Sequence, residues 1–300
     1  MLNKIFLTIF CLLISGTLFA SEKEIKLSSA HALYFKSDIN SCKYKLFISL
    51  PKNYEQEKNT TYPVVYLLDP YLNFAFLHNF TQYLSVKNEL PKMILVGIGY
   101  DYRDDIASES PTCRGGNEPF KCRINRSRDY TNSKIPFPHV DYDEEYRKYH
   151  GGGRIFTDVI KKEIMSKIKK NYRVNDFNVL IGHSYGGLFA SHLFFAGDDA
   201  FNNYIAISPS YWYNDDEIFG KFNPAIIKNA SKMYVAFGAE ESPLMLSSFA
   251  KMRDLIASYN KMASSDNIMD IKFQLLEEET HSSVPLSASI RGLKHIFMKK

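Results

Sequence analysis

The segment Gly182-His183-Ser184-Tyr185-Gly186-Gly187 sets a serine among glycines, after the short apolar run Val179-Leu180-Ile181 and before Leu188-Phe189-Ala190. A serine on a tight strand-to-helix turn holds a strained backbone conformation, and β-carbons beside it would strike neighbouring elements, so glycine is needed there. The turn also puts the hydroxyl at the positive end of the following helix, where the backbone N–H of Tyr185 is expected to meet an oxyanion. Ser184 is therefore the candidate nucleophile. Its hydroxyl is protonated at neutral pH, so attack on a carbonyl requires a base, commonly a histidine held by a carboxylate.

On a strand-elbow-helix scaffold of the α/β-hydrolase type the chain order is serine, acid, histidine. His192, His281 and His295 follow Ser184. His192 falls two turns into the elbow helix and His295 on the last helix, whereas His281 lies in the polar loop Glu277-Glu278-Glu279-Thr280-His281-Ser282-Ser283, the place of a base. For the acid, Val235-Ala236-Phe237-Gly238-Ala239-Glu240-Glu241 reads as a strand ending in a glycine turn with two carboxylates. Glu241 is preferred, with Glu240 as the alternative, Asp215 and Asp216 as outside candidates, and a Ser-His dyad left open. The second oxyanion donor is expected at Asp69-Pro70-Tyr71-Leu72, and since Pro70 has no N–H the donor expected there is Tyr71. With no CxxC and no HExxH spacing, no metal and no cofactor is expected.

The elements that must position these groups are legible as apolar runs. Alternating apolar and polar residues over 25–50 predict antiparallel strands, and the continuous β-branched runs at 63–68 and 93–99 predict strands buried on both faces, with a helix over 74–86 between them. Phe156, Val159, Ile160, Ile164 and Ile168 share one helical face. Further on come strand 178–181, helix 185–195, strands 204–208 and 232–237, helix 244–258, strand 270–275 and helix 286–298. The alternation predicts an α/β-hydrolase fold: a mostly parallel central sheet with N-terminal antiparallel strands and helices on both faces. The stretch 101–153 is polar and too long for an ordinary connection, and is expected to be a functional loop insertion.

The 300 residues are 45% hydrophobic with 22 Phe and 20 Tyr, which excludes a disordered chain. Residues 1–20 read as a secretory signal peptide: Lys4, an apolar run over 5–14, then Leu18-Phe19-Ala20 before Ser21-Glu22-Lys23. The expected mature chain, 21–300, is one domain that is periplasmic or secreted and has no later stretch able to span a bilayer. Loss of Lys4 lowers the formal charge from +4 to +3, with no basic cluster suited to nucleic acid. Cys42, Cys113 and Cys122 would then meet an oxidising compartment, and Cys113 with Cys122 is the preferred disulfide.

Several segments occur in an order that resembles a known family: Tyr62-Pro63-Val64-Val65-Tyr66-Leu67-Leu68-Asp69, Arg128-Asp129-Tyr130-Thr131, Gly151-Gly152-Gly153, the elbow, Ser208-Pro209-Ser210-Tyr211-Trp212 and Thr280-His281-Ser282-Ser283. They look like the esterase family of α/β-hydrolases that includes enterobactin and salmochelin esterases, with feruloyl esterases and mycolyltransferases as distant kin. The resemblance implies hydrolysis of carboxylic esters through an acyl-serine without a metal, with Ser184 as nucleophile, His281 as base, Glu241 as acid, and a substrate site near Arg128, Tyr130 and Trp212. Pro70 stands where the family has glycine, and Asn132 where it has proline. Arg103, Arg114, Arg123, Arg126 and Arg128, with tyrosines among them, suit an anionic, catechol-bearing ester such as a ferric siderophore. The alternatives are acyl transfer to an alcohol or sugar, and a ligand-binding homologue without catalysis.

Overall fold

The computed structural model describes residues 26–101, 120–135, 147–227, 231–264 and 268–297. Eight strands form one sheet in the order β1-β2-β4-β3-β5-β6-β7-β8. They are β1 (Ala30–Lys36), β2 (Lys43–Ser49), β3 (Tyr62–Leu68), β4 (Ile94–Tyr100), β5 (Val174–His183), β6 (Asn203–Ile207), β7 (Lys232–Gly238) and β8 (Asp270–Leu276). β1 with β2, and β2 with β4, pair antiparallel, and every other neighbour pair is parallel. This is the α/β-hydrolase architecture that the alternating pattern predicts.

Strand periodicity divides the core. Val64, Tyr66 and Leu68 of β3, Leu180 of β5 and Met233, Val235 and Phe237 of β7 enter one apolar cluster. Their neighbours Val65, Leu67, Val179, Ile181, Tyr234 and Ala236 enter the other. Successive side chains point to opposite faces, so a strand apolar at every position needs helices on both sides. On the second face lie α1 (Pro70–Val86) and the C-terminal helix α8 (Val284–Phe297). On the first lie α3 (Gly153–Asp158), a π-helical turn (Val159–Ile164), α4 (Met165–Asn171), the elbow helix α5 (Tyr185–Phe195) and α7 (Pro243–Met262).

Three departures from the sequence reading have local causes. Helix α1 begins at Pro70, four residues before the predicted start, because proline at the first helical position loses no helical hydrogen bond and comes with φ already set. The glycines of β4 make room for that start: a β-carbon on Gly97 would lie 2.5 Å from Pro70 Cβ, and one on Gly99 3.0 Å from the Tyr71 ring. The insertion 101–153 is not loop throughout, since α2 (Phe120–Tyr130) closes part of it. The glycine triplet docks against the end of that helix, with Gly152 N–H donating to the Arg128 carbonyl at 2.9 Å and Gly153 N–H to the Thr131 carbonyl at 2.8 Å. A further short helix, α6 (Tyr213–Gly220), is absent from the sequence reading, and Asn214, Asp215 and Asp216 near its start hold left-handed φ of 49°, 52° and 60°, so its regular helical geometry begins only after them. The proposed signal segment and the Cys113–Cys122 pairing lie outside the described residues, and Cys42 carries a free thiol. Among the described residues no helix is long and apolar enough to cross a membrane.

Candidate active site

The elbow forms where β5 turns into α5. Ser184 has φ 58° and ψ −118°, well outside the ordinary regions, and is pinned there by its N–H to the Ile207 carbonyl at 2.9 Å and by Leu188 N–H to its own carbonyl at 2.9 Å. The steric demand falls on particular glycines. A β-carbon on Gly182 would lie 2.1 Å from the Gly186 carbonyl oxygen, and one on Gly187 2.9 Å from the Ile207 carbonyl oxygen, whereas one on Gly186 would meet nothing nearer than 3.4 Å.

The candidate acid and base come from the ends of β7 and β8. Glu241 Oε2 accepts from His281 Nδ1 at 2.9 Å, with the carboxylate buried and the imidazole partly open to solvent. Glu241 Oε1 accepts the Gly238 N–H at 2.9 Å and the Ser208 hydroxyl. Burial pushes the Glu241 carboxyl upward, but the His281, Ser208 and Gly238 hydrogen bonds outweigh it and hold the group below the usual range. Gly238 is required for this approach, because a β-carbon there would lie 2.1 Å from the Glu279 carbonyl oxygen in the loop that carries His281. Glu240 is exposed, and Asp216 is engaged by Lys251 at 2.6 Å. Among the described residues Ser184 Oγ has one hydrogen bond, to Ser210 Oγ at 3.3 Å. Hydroxyl-to-base contacts of this kind commonly close only when substrate arrives.

Tyr71 lies in the first turn of α1, where backbone N–H groups have no partner within the helix, and Tyr185 opens α5 in the same way. The two turns are neighbours: a β-carbon on Gly186 would lie in ordinary contact with Leu68 at 3.4 Å and the Asp69 carboxylate at 3.7 Å. Asp69 itself, at φ 51°, is clamped by Arg126 from α2 through two hydrogen bonds of 2.8 and 2.9 Å, and by the Tyr130 hydroxyl at 3.3 Å. The insertion is thus bolted to the corner expected to supply the second oxyanion donor.

Of the residues expected to meet substrate, Trp212 is half-buried beside the elbow, its ring 6.2 Å from that of Tyr185 and its indole N–H on Met245 S at 3.1 Å. Tyr130 is fully buried and reaches the site only through Asp69. Arg128 turns inward onto Asp129 at 2.7 and 3.0 Å, a carboxylate that also accepts from Tyr44 and Tyr100. Arg126 and Arg128 are therefore both committed to internal carboxylates. Arg103, Arg114 and the Arg123 side chain lie outside the described residues. Among the described residues no group of three His, Cys, Asp or Glu is arranged to hold a metal ion.

A family model described as Putative esterase matches residues 37–123 and 122–263. The chain belongs to this esterase family. It is 29% identical over 185 residues to the ferri-bacillibactin esterase BesA of Bacillus subtilis, an alignment covering 59% of this chain and 57% of BesA. The chain thus spans little more than half the length of that relative. Among solved structures, a BES protein from Bacillus cereus superposes with a TM-score of 0.75 at 24% identity, over 93% of this chain and 100% of that one. An IroE-like serine hydrolase from Shewanella oneidensis gives 0.69 at 26% identity, over 89% and 80%.

Sequence reasoning missed three residues at the site. Arg126 is one of several arginines in the insertion, and only the fold brings it to Asp69. His183 packs against His281 with ring centroids 4.5 Å apart and the rings tilted by 43°, and burial, helped by the nearby His281 and Arg126, pushes its pKa down to about 3, so it stays neutral. Ser208 belongs to a quoted motif, but nothing in its spacing connects it with Glu241.

Proposed function

We propose that this protein is a serine esterase that cleaves carboxylic esters through an acyl intermediate on Ser184, with siderophore esters as the substrate class. The observation that carries the reading is the convergence of three separate sheet ends: Ser184 on a strained elbow after β5, and Glu241 after β7 bonded to His281 after β8. His281 Nε2 takes the Ser184 proton as Oγ attacks the ester carbonyl, while Glu241 keeps the imidazole in the tautomer with its proton on Nδ1 and stabilises the imidazolium. The N–H groups of Tyr185 and Tyr71 receive the oxyanion, each contributing roughly 100- to 1000-fold in rate. Collapse returns the proton from Nε2 to the leaving alcohol, and water then releases the acid by the same steps in reverse.

The substrate class is supported by the relatives, among which are a ferri-bacillibactin esterase and, over a shorter stretch, an enterobactin esterase of Emericella nidulans. Trp212 is half-buried, its ring 6.2 Å from that of Tyr185, which in turn rests on the buried Tyr213 and His150 rings, so the open part of Trp212 is the aromatic surface available beside the elbow to a catechol ester. The deciding experiment is a hydrolysis panel of p-nitrophenyl acyl esters, ferric catecholate trilactones and feruloyl esters, run beside fluorophosphonate labelling of wild type and Ser184→Ala. Labelling of wild type alone, with turnover highest on the trilactone, is expected. Activity confined to short acyl esters overturns the substrate class, and an unlabelled but folded wild type overturns the serine mechanism. The same reading includes export, with cleavage after Ala20, which N-terminal sequencing of the mature protein checks; an intact Met1 start overturns it.

A further inference from the structure

The turn Ser208-Pro209-Ser210 follows β6 and touches both halves of the array. Ser208 is fully buried, its N–H on the Ala236 carbonyl at 2.7 Å and its hydroxyl on Glu241 Oε1. Two residues on, Ser210 donates its N–H to the Ser184 carbonyl at 3.2 Å and meets Ser184 Oγ at 3.3 Å. The turn has no slack, since a β-carbon on Gly187 would lie 3.1 Å from Pro209. Ser208 also holds φ 42°, a region that glycine occupies freely and other residues rarely do. A turn serving shape alone would be better made with glycine; serine adds a hydroxyl at the expense of backbone strain.

We propose that Ser208 is a positioning residue of the esterase reaction, acting through Glu241: its hydroxyl fixes the carboxylate so that Oε2 stays on His281 Nδ1, while the turn it begins ties that pair to Ser184. The inference rests on the serine-esterase reading above. Glu241 Oε1 held by two donors on different segments cannot swing without breaking both bonds, whereas with Gly238 N–H alone it can pivot. The hydroxyl also draws off part of the carboxylate charge that would otherwise bind the imidazolium proton, so its loss makes the acid–base pair hold that proton more tightly.

The test compares Ser208→Gly, which removes the hydroxyl and relieves the strain, with Ser208→Ala, which removes the hydroxyl and keeps the strain. Both are assayed as the full chain on p-nitrophenyl butyrate from about pH 5 to about pH 9, beside thermal melting. Ser208→Gly is expected to melt at or above the wild-type temperature while kcat falls roughly 10- to 100-fold, the range for losing an outer hydrogen bond that orients a reacting side chain. KM should stay within about twofold, and the acidic limb of kcat/KM should rise by about one pH unit. Ser208→Ala should lose the same kcat and melt lower. A Ser208→Gly enzyme with wild-type kcat and an unmoved acidic limb overturns the proposal, and so does a Ser208→Gly enzyme whose kcat loss comes with a lowered melting temperature. A wild type with neither turnover nor labelling overturns the serine-esterase reading itself, a result distinct from an active wild type with an indifferent Ser208→Gly.

Discussion

Glu241→Gln tests the acid assignment directly, because the structure leaves the amide no satisfactory orientation. The carboxylate accepts from three donors: His281 Nδ1 on one oxygen, and Gly238 N–H and the Ser208 hydroxyl on the other. If the Gln carbonyl faces Gly238 and Ser208, its NH2 faces Nδ1 and forces the histidine proton onto Nε2, where the lone pair for Ser184 is needed. If it faces His281 instead, the NH2 opposes the Gly238 N–H and strands a buried donor, which costs about 1 to 3 kcal/mol. The first arrangement avoids that penalty and yields the wrong tautomer, a change that lowers kcat by roughly 10,000-fold in serine hydrolases of this mechanism, or about 5.5 kcal/mol of transition-state stabilisation. Steady-state hydrolysis of p-nitrophenyl butyrate, with circular dichroism as the fold control, should show that loss in Glu241→Gln. Exposed Glu240→Gln should stay within about twofold of wild type. Retention of more than about a tenth of kcat by a folded Glu241→Gln would refute the role of Glu241.

Gly182→Ala, whose β-carbon would lie 2.1 Å from the Gly186 carbonyl oxygen, should lose about 3 kcal/mol or fail to fold, whereas Gly186→Ala should melt near wild type; thermal melting of the pair checks this, and the reverse order would be incompatible with the elbow geometry. Acid should destabilise the protein early. Burial holds His183 at about 3, His192 at about 4 and, with Arg147, His150 at about 4, against about 6.5 in the unfolded chain. The unfolded state therefore binds more protons below about pH 6.5, so stability is full above that pH and falls toward about pH 4, by up to about 1.4 kcal/mol per pH unit for each site. Melting temperatures across that window should drop steeply, and His192→Gln should flatten the slope by one proton; a flat wild-type profile would count against the burial of these rings.

The elbow was legible in the sequence because its constraint is local: glycines within a few residues of a serine, between a strand-like and a helix-like run, admit few other conformations. His281 followed from chain order, since among the histidines after Ser184 it alone fell in a loop between a strand and a helix. The fold class was legible for a similar reason, as strands apolar at every position must be covered on both faces. The choice of Glu241 over Glu240 was not settled by spacing, because neighbouring residues in a turn point in different directions and only the packing of the Gly238 turn against Glu279 decides which one faces His281.

The arginines show the limit most plainly. Sequence offered several arginines in one insertion, but charge alone carries no address; folding sent Arg126 to Asp69 and Arg128 to Asp129. Ser208 and His183 likewise acquire meaning only across strands, from Glu241 on the neighbouring β7 turn and from His281 nearly one hundred residues away. Sequence by itself determined the elbow serine, the loop histidine proposed as its base and the layered sheet, because those depend on short-range sterics, on chain order and on the period of apolar residues. Which carboxylate meets His281, which arginine meets Asp69 and which hydroxyl meets Glu241 was decided by the tertiary structure, because each depends on groups brought together by sheet order rather than by position along the chain.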